Sequence, residues 1–163
     1  MCSSDLTEIA TLSSTQVGAI NTSGIAVIDA TQLAALSATQ VKGLTATQIP
    51  FLANSLSFGA SQLLVLSGQQ FASMTTTQLD NLTTTDVAAL SNAQLGALSS
   101  TNFSSLDANQ VGALTTTQIQ GLTATVLRGL STTDVGEFTA TQVGSLTTSQ
   151  LGLLSVKIGR AHV

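Results

Sequence analysis

The chain has 163 residues, 43% of them hydrophobic, with only 7% charged, 3% aromatic and a net charge of −4. The hydrophobic content excludes a disordered acidic tail, and the scattered cations Lys42, Arg128 and Lys157 exclude the basic cluster that nucleic-acid binding needs. We therefore expect no nucleic-acid partner. No apolar run approaches the roughly eighteen residues of a membrane helix, so we expect no membrane insertion either.

The two ends of the chain do not follow the pattern of the rest. The chain opens MCSSDL and closes KIGRAHV, and both stretches resemble translated read-through of a short-read sequencing adapter, in opposite orientations. We therefore set residues 1–5 and 157–163 aside as adapter-like scars and take residues 6–156 as genuine sequence from inside a longer, metagenomic reading frame. Cys2 and His162 lie in the scars, so the genuine segment has no Cys, His, Tyr or Trp.

The segment between the scars is a single tandem array of eight-residue units. Each unit reads apolar, Ser/Thr, any, Thr/Ser, Gln, Val/Ile/Leu, any, small. Five units fill residues 12–51, an irregular six-residue unit fills 52–57, and twelve units fill 58–153. Positions one and six are apolar in all seventeen full units, which predicts small units that stack into one continuous core. At 52–57 we expect an irregular turn or a kink.

Position two of the unit predicts how each unit folds. Its Ser or Thr is typical of a helix N-cap, and Gln three residues later completes a capping box. Positions one and six then stand where a hydrophobic staple has its two apolar residues. The pairs that we take as structural repeat caps are Ser13 and Gln16, Ser37 and Gln40, Thr45 and Gln48, Thr75 and Gln78, Thr115 and Gln118, Thr139 and Gln142, and Thr147 and Gln150.

We therefore predict an all-α fold, a thin solenoid with one short capped helix per unit. Helices of one or two turns are not stable alone, so stacking has to hold them. The alternative is a β-solenoid, because Thr-x-Thr pairs such as Thr115 and Thr117 would face one side of a strand and form a ladder. Positions one and six have opposite parity, however, so a strand could bury both only with a corner in every unit.

The residue types that remain argue against chemistry. Without His or Cys, the genuine segment lacks the usual acid–base groups, thiol nucleophiles and zinc ligands. Asp86 and Asp134 replace the box Gln, and Asp29 and Asp107 replace the cap, so these acids have a structural explanation. We expect no enzyme activity, no catalytic residue, no cofactor and no metal.

The repeated motif LTTTQ[VI]xxL resembles the octapeptide arrays of large, low-charge bacterial proteins described as exoproteins or adhesin-like proteins. The resemblance covers residues 6–156. This resemblance implies a secreted or cell-surface location and carries over no site residues. It favours a non-enzymatic structural repeat, a spacer or an interaction segment of such a protein.

The alternative function is a binding module in which an ordered Thr/Ser/Gln face recognises ice, a glycan or another surface. Asn21, Asp29 and Asp107 interrupt such a face. Because an uncapped repeat array exposes core at its ends, we also expect self-association through the open ends.

Overall fold

The computed structural model describes residues 8–53 and 58–160, with side chains over 8–53 and 58–154. Within these ranges the chain is all-α and has no β-strand. A helical stretch over 8–11 is followed by sixteen α-helices and one 3-10 helix, η1. Their bounds are α1 Ser14–Ala19, α2 Thr22–Ala26, α3 Ala30–Ala35, α4 Ala38–Gly43, η1 Ile49–Phe51, α5 Ala60–Leu63, α6 Gly68–Ala72, α7 Thr76–Asp80, α8 Thr84–Ala89, α9 Asn92–Ala97, α10 Ser100–Phe103, α11 Ala108–Ala113, α12 Thr116–Gln120, α13 Ala124–Gly129, α14 Thr132–Gly136, α15 Ala140–Ser145 and α16 Thr148–Arg160.

The predicted solenoid of short helices, one per eight-residue unit, is confirmed. Each α-helix begins directly after position two of its unit, and all but α16 have four to six residues. The residue at position two is in the extended conformation, as at Thr115 with φ −70° and ψ 157°, which turns the chain into the helix. The described residues therefore contain no Thr ladder of the β-solenoid kind.

The helices coil so that each one packs against the helix three units further on. Such pairs are α1 with α4, α6 with α9, α8 with α11, α10 with α13, and α13 with α16. Consecutive units therefore lie around the superhelix, and units three apart along the chain become neighbours along its axis.

Glycines at position eight meet position three of the unit three places earlier. A Cβ added to Gly43 would lie 2.0 Å from the carbonyl oxygen of Ser14, and one added to Gly129 would lie 2.0 Å from the Cβ of Ser100. Ser14 and Ser100 both occupy position three of their units. Gly43 thus allows α4 to meet the backbone of α1, and Gly129 leaves room for the Ser100 side chain. No positive φ is involved at either glycine.

The residues at positions one and six form one core along the coil. Their side chains belong to a single hydrophobic cluster that runs from Val17 to Leu154. Phe103, at position six, meets Phe138, at position one, edge to face with ring centroids 6.3 Å apart. Helices too short to be stable alone are thereby held by burial of two apolar side chains per unit. Among the described helices, none combines the length and apolar character needed to cross a bilayer.

Candidate functional site

The most regular polar feature of the coil is the pair of residues at positions two and five. In the unit that starts at Leu114, the Thr115 hydroxyl accepts a hydrogen bond from the backbone N–H of Gln118 at 3.2 Å. In return, the Gln118 side-chain oxygen accepts from the backbone N–H of Thr115 at 2.7 Å. A helix of five residues has almost only terminal backbone groups, so these two bonds satisfy donors that the helix itself cannot.

The structure places the predicted cap pairs at the starts of successive helices. The pair of Thr45 and Gln48 makes only half of the box: Gln48 accepts from the Thr45 N–H, while the Thr45 hydroxyl pairs with Thr47 at 2.9 Å. This unit contains Pro50 and forms η1 in place of an α-helix. Both bonds of the box are present in Ser13 with Gln16, Ser37 with Gln40, Thr75 with Gln78, Thr115 with Gln118, Thr139 with Gln142, and Thr147 with Gln150.

The glutamine has a second role that sequence reasoning missed. The Nε2 of Gln118 donates to the backbone carbonyls of Val87 at 3.0 Å, Ala88 at 3.2 Å and Leu90 at 2.7 Å. These carbonyls lie at the end of α8, four units earlier, where the last turn of a helix leaves C=O groups without partners. One side chain therefore caps the start of its own helix and the end of another.

We call the side chains that make this double connection the glutamine clamps. Each is 7% exposed or less, and together they are all the buried polar side chains in the described part of the chain. Within the described residues, no buried side-chain nitrogen or oxygen lacks a hydrogen-bond partner. The glutamine clamps are Gln40, Gln48, Gln62, Gln70, Gln78, Gln94, Gln110, Gln118, Gln142 and Gln150.

A clue to the clamp was present in the sequence. A capping box accepts Glu as well as Gln, because only the side-chain oxygen is used. Position five is nevertheless Gln in twelve units and Glu in none. The preference for Gln indicates a use for the amide nitrogen in most units, since a carboxylate, as in the two units with Asp86 and Asp134, cannot donate to a carbonyl.

Three units without Gln show how the contact with the earlier unit changes with the side chain at position five. Asn102 clamps with a shorter side chain, donating to the carbonyls of Ala72 at 3.0 Å and Met74 at 3.3 Å. Asp134 cannot donate, and there the polarity is inverted: its carboxylate accepts from the Ser104 hydroxyl at 3.0 Å. Val126 is fully buried at the same position and makes only apolar contacts with its side chain.

The clamps also show how the six-residue unit fits into the coil. Clamps elsewhere join residues 28 and 31 positions apart, as Gln94 does with Leu66 and Leu63. The connections of Gln62, Gln70 and Gln78 pass over residues 52–57, and each of these side chains reaches a carbonyl only 26 positions away. The short unit therefore takes one place in the coil with two residues fewer. The predicted turn or kink itself falls largely on residues 54–57, outside the described residues.

The face proposed for the alternative binding function has to be corrected. Because the glutamine clamps are buried, they contribute nothing to an exposed Thr/Ser/Gln face. Hydroxyl groups do remain at the surface: a shallow groove of about 520 Å³ is lined by Ser and Thr side chains together with Asp134. Within the groove, the Ser104 hydroxyl donates to the Asp134 carboxylate at 3.0 Å.

The described residues contain no group of three or more His, Cys, Asp or Glu side chains that could hold a metal ion. One acid has a shifted pKa: burial raises the pKa of Glu137, and the negative charges of Asp134 and Asp107 raise it further. Asp134 and Glu137 belong to the same unit, and Asp107 belongs to the unit three places earlier.

Comparison with known proteins supports the repeat and says nothing about a ligand. A family model described as the ALTTAQ repeat matches residues 87–124, a segment that includes the run ALTTTQ and the clamps Gln94, Gln110 and Gln118. Searches of curated proteins and of solved structures found no significant match. The chain is accordingly a tandem-repeat protein with a helical, solenoid-like architecture, and its segment 87–124 is similar to the ALTTAQ repeat.

Proposed function

We propose that the chain is a non-enzymatic spacer within a large secreted or cell-surface bacterial protein. The observation that carries this proposal is the repetition of the glutamine clamp, which connects ten of the units to the unit four places earlier in the described part of the chain. A coil connected in this way has a length set by its number of units. Its function would follow from that length and from the surface it presents.

The low charge and the absence of a metal-binding group in the described residues agree with such a role. The array would hold neighbouring domains apart while needing no ligand. The bacterial and cell-surface parts of the proposal rest on the resemblance of LTTTQ[VI]xxL to exoprotein arrays.

Small-angle X-ray scattering of length variants tests the spacer proposal. A variant in which residues 106–129, three full units, are duplicated should show a longer maximum dimension and an unchanged cross-sectional radius. A matched control duplicates residues 106–125, which breaks the eight-residue phase. The proposal is wrong if the in-phase duplication leaves the maximum dimension unchanged, because the length of the protein would then not depend on its number of units.

The location is tested separately on cells of the organism that carries the gene. Antibodies against the chain should label intact cells or the culture medium. Labelling that appears only after the cells are broken would contradict a secreted or surface location while leaving the spacer role standing.

A further inference from the structure

Two successive units in the interior of the coil lack the glutamine clamp. Position five is Val126 in the unit of α13 and Asp134 in the unit of α14. The units four places earlier, which a clamp at these positions would reach, are those of α9 and α10. We call the boundary between α9 and α10 on one side and α13 and α14 on the other the unclamped seam.

At the first of these two places, an apolar side chain stands where the amide would be. Val126 is fully buried and belongs to the hydrophobic core. The Leu95 carbonyl at the end of α9 accepts the local N–H of Leu98 at 3.2 Å and no side-chain donor among the described residues. The equivalent carbonyl of Val87 accepts both its local N–H and the amide of Gln118, at 3.0 Å. Apolar packing therefore replaces the clamp here.

At the second place, a hydrogen bond crosses the seam at the surface of the coil. The Ser104 hydroxyl donates to the Asp134 carboxylate at 3.0 Å, and this bond is exposed to water. Next to Ser104 in the chain, Phe103 meets Phe138 across the seam, edge to face. Because water competes for an exposed hydrogen bond, the bond to Asp134 constrains the seam less than a buried clamp does.

Apolar contacts and hydrogen bonds differ in the movement that they tolerate. A hydrogen bond weakens steeply when its donor moves out of line, whereas hydrophobic attraction is non-directional. The three donations of Gln118 therefore fix two turns of the coil in one position. Val126 and the pair of Phe103 and Phe138 hold their turns together but allow packed helices to slide past each other by a small distance.

We propose that the unclamped seam is a flexible joint at which the spacer bends, with stiffer, clamped turns on either side of it. The clamps of Gln110 and Gln118 hold the turns before the joint, and those of Gln142 and Gln150 hold the turns after it. This inference rests on the proposed spacer function and deepens it, because a joint within a spacer changes the angle between the domains that it separates.

The groove of about 520 Å³ described above lies at this seam. Ser104 comes from one side of the seam and Asp134 from the other, and both line the groove. Sliding of α10 relative to α14 would narrow or widen it. A groove of about 440 Å³ also lies at a clamped turn, but there the Gln70 amide bonds to the carbonyls of Lys42 and Leu44 and holds the two sides together.

Pulsed electron–electron double resonance on the full chain tests the joint. Thr77→Cys and Thr141→Cys place spin labels on two exposed position-four residues that lie eight units apart with the seam between them, and Cys2→Ser removes the native thiol. Val126→Gln combined with Asp134→Gln then supplies the amide that forms clamps in other units. We expect the distribution of distances between the labels to become narrower in this clamped variant, since sliding at the seam is prevented.

The opposite substitution is the matched control. Gln118→Val removes an existing clamp between the same two labels and should make the distance distribution broader. Far-ultraviolet circular dichroism and a thermal melt establish that each variant keeps its helices. An unchanged distribution in the folded clamped variant would overturn the joint. If that variant does not fold, Gln118→Val decides, and an unchanged distribution there would overturn the joint as well.

Failure of the joint and failure of the spacer are distinguishable. A seam as stiff as its neighbours would leave the dependence of length on the number of units untouched, so the scattering of the length variants would still support a spacer. Conversely, length variants that do not lengthen the protein would remove the spacer function, while the label distances would still report whether the seam flexes.

Discussion

At the scale of the residue, the glutamine at position five connects local and tertiary structure. Its oxygen completes the capping box three residues away, and its nitrogen reaches carbonyls four units earlier. The first role follows from sequence spacing and the second requires the coil. Separating the two roles by mutation is possible because Gln16 performs only the first among described residues.

Gln118→Glu should destabilise the fold strongly, and Gln16→Glu should not. Glu keeps an oxygen for the box, but a buried carboxylate would face the carbonyls of Val87 and Leu90, which are also acceptors. We expect a loss of about 3–5 kcal/mol at neutral pH for Gln118→Glu, and a change within about 0.5 kcal/mol for the exposed Gln16. Denaturant unfolding followed by circular dichroism measures both.

Lowering the pH gives an internal check on the clamp. Burial raises the pKa of the introduced carboxyl in the folded state. The loss of stability that this carboxyl causes is therefore fully present above its folded-state pKa and absent below its unfolded-state pKa. The deficit of Gln118→Glu should therefore shrink in acid, where the protonated group again has a donor. Equal destabilisation by the two substitutions would show that only the cap matters.

Glu137 provides a prediction about pH in the unaltered chain. Its pKa is raised by burial, by Asp134 and by Asp107, so the folded state favours the protonated form. The stability contributed by this group is fully present below the unfolded pKa, about 4, and is lost as the pH rises through the folded pKa. Glu137→Gln should raise the melting temperature at pH 7, and the difference should close towards pH 4. A lower melting temperature of the variant at pH 7 would contradict this account.

At the scale of the element, the caps determine where each helix begins, and contacts with neighbouring helices determine how closely it packs. The extended residue at position two starts the helix, and its length is limited by the next cap, eight residues on. The pattern of caps made helix starts predictable from the sequence. The sequence did not distinguish glycines that permit close packing from glycines that only end a helix, because contact distances depend on the coil.

Two glycine-to-alanine substitutions separate these classes. Gly43→Ala would place a Cβ 2.0 Å from the Ser14 carbonyl oxygen, and should cost about 1–3 kcal/mol as α1 and α4 are forced apart. A Cβ at Gly112 meets no heavy atom within 4 Å, so Gly112→Ala should stabilise α11 by about 0.5–1 kcal/mol. Thermal melts measure both. If Gly43→Ala proves as stable as the unaltered chain, the close approach of the two helices is incorrect.

At the scale of the whole molecule, the coil keeps its order of units even where one unit is two residues short. The six-residue unit at 52–57 shows this, because clamps on either side keep their partners four units apart. In a solenoid each unit contacts only its near neighbours, so stability depends on the number of intact units and interfaces.

Deletion of the complete unit 106–113 should therefore preserve the fold. We expect a helical spectrum and a cooperative melt a few degrees lower, since every later unit moves by one place and meets an equivalent partner. Deletion of residues 106–109 alone should abolish the cooperative melt, because positions one and six of the units on either side would no longer share a face. A similar melt for the two deletions would mean that the eight-residue phase does not govern stacking.

The sequence by itself determined the period, the helix starts and the two apolar positions of every unit. These features depend on interactions within eight residues, namely caps such as Ser13 with Gln16 and the spacing of Leu114 and Ile119. Only the tertiary structure decided that units three and four places apart are neighbours, that Gln118 is buried against the end of α8, and that Gly43 touches Ser14. The physical reason is that repeated units are chemically alike, so the local pattern cannot say which copy meets which, and the superhelical geometry of the packed backbone makes that choice.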